Sequence, residues 1–92
     1  MISTVMVIGL MDVVIQPNIR LIKIQRPYRD VKGVFVEDRI PIQYWTRATN
    51  NYFMTMKEGT LIGVKGRLEV IEGVGTTIVC DFLEPLHLPL KT

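Results

Sequence analysis

Ninety-two residues, 48% of them apolar, can close one small hydrophobic core, so the length leaves no room for a second independent domain. A charged fraction of 22%, a net charge of only +2 and no long Ser/Gln/Pro-rich tract exclude an intrinsically disordered chain. The single serine, histidine and cysteine (Ser3, His87 and Cys80) cannot assemble a nucleophilic triad or a four-ligand zinc site within one subunit.

The chain opens with "ISTVMVIGL", Ile2 to Leu10, which is apolar on both alternating faces: Ile2, Met6 and Ile8 on one, Val5 and Val7 on the other. A strand of this kind needs cover on both sides, and in so small a domain a second copy of the chain supplies it. Homo-oligomerisation through Ile2 to Leu10 is therefore expected. The first fifteen residues carry no basic head, are broken by Asp12, and fall short of the roughly 20 residues a bilayer-spanning helix needs. Neither export nor membrane insertion is expected, and the cytoplasm is the expected compartment.

Pro17-Asn18 reads as a turn into a second strand, "IRLIKIQ", Ile19 to Gln25. "RPYRDVKG", residues 26–33, reads as a long basic hairpin loop carrying Tyr28. A third strand follows from Val34 to Trp45. Its alternation sets Ile40, Ile42 and Tyr44 on one side and Arg39, Pro41, Gln43 and Trp45 on the other.

From Arg47 to Met56 the period changes. Ala48, Tyr52 and Met56 fall four apart, which predicts a helix of about ten residues, ended by Gly59 and with Lys57 near its negative pole. "TLIGVKGRLEVIE" and "TTIVCDFLEPL" are two further strands around the turn "GVG", and "EPLHLPLKT" is too proline-rich to extend a sheet far. Three strands, a helix and two strands is the connectivity of the OB-fold, an all-β five-stranded Greek-key barrel with one short helix between the third and fourth strands. Residues 1–86 form the barrel in this reading and 87–92 a short tail.

Catalytic and metal chemistry find little to work with. Cys80, in the apolar run "TTIVCDF", reads as a buried reduced thiol. Gly59, Gly63, Gly66, Gly73 and Gly75 match no phosphate-cradling pattern and read as turn and bulge positions. Asp30 and Asp38 have no acid–base partner. No enzyme activity, cofactor or metal is expected, and binding remains. From Arg20 to Arg67 the chain holds ten basic residues against four acidic ones, whereas the flanks are acidic on balance. Trp45, on a strand face shared with Arg39 and Gln43, reads as a platform on which bases stack. Burial at the barrel mouth or under the helix is the structural alternative for that ring. Tyr28, between Arg26 and Arg29, pairs a ring with guanidinium groups in the same way.

The stretch from Ile40 to Leu68 resembles the single-stranded DNA-binding protein (SSB) family. It shows a strand ending on an aromatic residue (Trp45), a helix, the turn Lys57-Glu58-Gly59 and the strand pattern Val64-Lys65-Gly66-Arg67-Leu68. "STVMVIGLM" is similar to the family's opening strand, and "PYRD" to the aromatic-Arg-Asp stretch of its basic hairpin. The resemblance implies binding of single-stranded DNA with little sequence preference, in replication, repair or recombination, by a homo-dimer or tetramer. Trp45 and Tyr28 would stack on bases, and Arg20, Lys23, Arg26, Arg29, Lys32, Arg39 and Arg47 would line an electrostatic track for phosphates. Arg39 falls where many members carry a third aromatic residue. "EVIEGVGTTIV" is shorter than the family's usual loop, and the glycine-rich linker and acidic tip do not follow it. In extent the chain is similar to the primosomal replication proteins, so the rival expectation is an accessory protein acting through replication partners. A regulatory OB-fold module with Trp45 buried is the remaining rival.

Overall fold

The computed structural model describes residues 4–46 and 51–86. Within them run β1 (Val5–Gln16), β2 (Ile19–Arg29), β3 (Phe35–Tyr44), α1 (Tyr52–Thr55), β4 (Leu61–Ile71) and β5 (Gly75–Pro85). The strands close into a barrel in the order β1-β2-β3-β5-β4. Every pairing is antiparallel except β3 with β5, which run parallel at Ile42–Ile78, Gln43–Val79 and Tyr44–Cys80. This is the expected OB-fold.

Strand alternation supplies the core. Ile22, Ile42, Ile62, Val64 and Ile78 turn inward and meet Met11 and Leu83, all of them buried. A barrel of five strands leaves one end open, and α1 stops it: Phe53 is fully buried there, with the Tyr44 ring stacked on it at 5.1 Å between centroids. Asn51 caps the helix, its side-chain oxygen accepting from the Met54 amide at 3.1 Å, which satisfies one of the orphan donors of the first turn.

The predicted elements differ from the observed ones in three places. β1 continues past Leu10 to Gln16, because register shifts after Met11 and Val14 bend it from β4 onto β2. β2 extends to Arg29 through residues expected to form a loop; a register shift after Gln25 brings Arg29 opposite Phe35, and only the tip turns freely. There Asp30 Oδ1 accepts from the amides of Lys32 and Val34, and Gly33 takes a φ of 81°. The helix ends at Thr55, with Met56 already extended, so neither Gly59 nor Lys57 terminates it. Its predicted first turn, from Arg47 to Asn50, lies outside the described residues, as do Ile2 and the tail 87–92.

Candidate nucleic-acid interface

The outer face of the β2–β3 ribbon is built by strand parity. On β3, odd-numbered side chains turn away from the core, and the register sets Lys23 opposite Arg39, Leu21 opposite Pro41 and Arg29 opposite Phe35. Trp45 ends this row, one residue past β3, with 77% of its surface exposed. Phe35 begins it, 44% exposed, and the Arg29 guanidinium carbon stands 4.7 Å from the centre of its ring. At about 3.3 Å per residue the two rings lie roughly 30 Å apart, a length that several unpaired nucleotides would follow.

The cations differ sharply in how free they are. Among the described residues, Lys23, Arg29 and Lys32 have no carboxylate partner. Arg39 leans across β2 toward β1, where its Nε lies 3.3 Å from Oδ2 of the buried Asp12, an ion pair without the alignment of a hydrogen bond. Arg26 is held by Asp38 through two bonds of 2.8 Å each. That fork raises the Arg26 pKa and pulls the Asp38 carboxyl below its ordinary range, the hydrogen bond being the main cause in both. Tyr28 is exposed, lies in the stretch where β2 shifts register, and accepts a 3.3 Å bond from Arg26, whose guanidinium carbon stands 6.0 Å from the centre of its ring. Phe35 takes the place beside Arg29 that sequence reasoning gave to Tyr28, and the signal was available, since Phe35 and Trp45 are both odd-numbered in one alternating run.

Arg20 is a correction. It is buried, with 2% of its surface exposed, and its guanidinium donates to the carbonyls of Asp12, Phe53 and Met56 at 2.7–3.0 Å. Burial lowers its pKa, with the charges of Glu58 and Asp12 acting against the shift. This arginine ties the end of α1 to the β1 bend and has no surface to offer a phosphate. Arg47 lies outside the described residues.

Trp45 borders two depressions. One is shared with Pro17, Asn18 and Gln43, and the other, of about 400 Å³, with Tyr44, Arg67, Cys80 and Asp81. Burial pushes the Cys80 thiol up to about 11, so it stays protonated and inert near neutrality. No group of metal-ligating side chains occurs among the described residues, and none of their helices is long and apolar enough to cross a membrane.

The exposed rings Phe35 and Trp45 thus stand at the two ends of one ribbon of an OB-fold barrel, with Arg29, Lys23 and Arg39 between them. No protein-family model matches the chain. Over 49 residues, 53% of its length, it is 39% identical to single-stranded DNA-binding protein 1 of Clostridium acetobutylicum, and it spans less than half (44%) of that relative. Its fold is similar to the mitochondrial single-stranded DNA-binding protein of S. cerevisiae, at a TM-score of 0.67 and 16% identity, covering 92% of this chain and 94% of that one. It is also similar to the N-terminal domain of the PriB protein from Thermoanaerobacter tencongensis, solved as a dimer, at 0.54 and 14% identity, covering 92% and 97%. Sequence and fold together set the chain beside the SSB proteins as an OB-fold barrel similar to theirs.

Proposed function

We propose that the chain binds single-stranded DNA along the outer β2–β3 face, with little sequence preference, as a cytoplasmic homo-oligomer serving replication, repair or recombination. The observation that carries this reading is the exposure of Trp45, an indole ring held open at the end of a row with Phe35, Arg29 and Lys23. Base stacking on such a ring contributes about 1–3 kcal/mol per base. The free cations supply the phosphate attraction. With Arg26 and Arg39 already paired, Lys23, Arg29 and Lys32 remain, and three neutralised phosphates correspond to a salt slope of roughly −2 per subunit.

Titration with oligo(dT) at two salt concentrations tests the reading through the fluorescence of the single tryptophan. Quenching that tightens as salt is lowered supports it. Emission that ignores the oligonucleotide refutes it. Trp45→Ala, followed by anisotropy of a labelled strand, should weaken binding with little change in slope, whereas Lys23→Ala should flatten the slope by about 0.7.

The accessory-protein reading draws on a face that self-association would also use. The outer face of β1, β4 and β5 exposes Met6, Ile8 and Phe82, a surface suited to protein contact.

A further inference from the structure

The depression beside Trp45 holds a charged pair that the phosphate track does not use. The parallel pairing of Tyr44 with Cys80 carries the next residues, Trp45 and Asp81, side by side. From β4, Arg67 reaches across, its Nη1 donating to Asp81 Oδ1 at 2.9 Å while its Nε donates to Glu69 at 2.8 Å. Among the described residues, Asp81 Oδ2 accepts no hydrogen bond and Arg67 Nη2 donates none. An aromatic wall therefore stands beside an acceptor and a donor fixed next to each other, in a space of about 400 Å³ open to solvent.

We propose that this depression is a base-edge subsite that favours guanine, giving one position of an otherwise sequence-tolerant track a preference. The inference rests on the reading of Trp45 as a stacking platform for single-stranded DNA. A base lying on the indole turns its edge to the Asp81–Arg67 pair. Guanine offers N1–H and N2–H₂ as adjacent donors with O6 beside them, which suits a carboxylate followed by a guanidinium. Adenine sets N6–H₂ beside N1 and thymine sets N3–H beside O4, so each satisfies the pair with one donor and one acceptor, but neither supplies the second adjacent donor that guanine gives the carboxylate. Arg67 is pre-set for this by Glu69 and Asp81, which hold its plane before any base arrives.

The test compares three short oligonucleotides of equal length, all-thymine, thymine with interspersed adenine, and thymine with interspersed guanine, by quenching of Trp45. Adenine controls for the stronger stacking of a purine. Guanine should bind about fivefold more tightly than adenine, the low end for a bidentate base contact because the pair is half-exposed. Deoxyinosine, which keeps N1–H and lacks the amino group, should fall between them. Asp81→Asn replaces an acceptor by a donor and should bring the guanine-to-adenine ratio near one, with Asp81→Glu retaining part of it. A wild-type ratio of one, or a ratio that survives Asp81→Asn, overturns the subsite while the quenching itself leaves the binding reading intact. Absence of quenching by all three strands overturns the binding reading, and the subsite with it.

Discussion

Arg20 and Lys23 stand three residues apart on β2 and look alike in the sequence, each a cation among aliphatic neighbours, yet they do different work. Arg20 turns inward and stands in for the helix-ending residue that α1 lacks, accounting for the carbonyls of Phe53 and Met56. Lys23 faces the outer ribbon opposite Arg39. Arg20→Met keeps the aliphatic stem and removes the donor from two buried carbonyls, of Asp12 and Phe53, and from the part-buried one of Met56, so at about 1–3 kcal/mol for each buried carbonyl denaturant unfolding should show a loss of about 2 kcal/mol or more. In conditions where that variant is still folded, its salt slope for oligo(dT) should match the wild type. Lys23→Ala should show the reverse pattern, a flatter slope at unchanged stability. The side on which Trp45 stands was legible because a strand's two-residue period is strict. The state of each cation was not, because Asp12 and Asp38 approach Arg39 and Arg26 across strands, and that pairing depends on register rather than composition.

Element types were legible from β-branched alternation and turn residues, and their order specified the barrel before any coordinate. The bounds were less so, since β1 and β2 each change partner or register midway, and a bulge leaves little trace in a hydrophobic pattern. Gly66 is one such trace. It sits where β4 shifts register against β5, and a Cβ built there would collide with the Val79 carbonyl oxygen, a backbone atom that cannot swing aside. At Gly63, three residues earlier on the same strand, a Cβ would meet only the Leu86 side chain at an ordinary 3.7 Å. Gly66→Ala should therefore destabilise by about 1–3 kcal/mol, as overpacking does, and lower the thermal midpoint by several degrees. Gly63→Ala should stay within about 1 kcal/mol of the parent. Equal effects at the two positions would mean that strand propensity alone governs these glycines.

At the scale of the molecule, the barrel presents two unlike surfaces: a polar ribbon with spaced rings on β2–β3, and an apolar face where Met6, Ile8, Phe82 and Leu86 border a depression of about 480 Å³. Ahead of Leu10, β1 is paired with β4 alone, so its other edge is unclaimed among the described residues. An open strand edge beside an apolar face is what a second copy would cover, and this agrees with the two-sided apolarity of Ile2 to Leu10. Light scattering should then find an oligomer at micromolar concentration, and a wild-type monomer would refute this account of the strand. Met6→Glu adds a charge at a position already 72% exposed, so it should spare the fold and dissociate the assembly. Its consequence for binding is calculable. A strand long enough to cross two subunits meets twice the free cations, so the oligomer should show a salt slope of roughly −4 on a long oligonucleotide and the variant roughly −2, with affinity falling by a factor set by the lost second site. If Met6→Glu is monomeric and its slope on the long strand equals that of the wild type, one subunit carries the whole binding site and the DNA does not pass between copies.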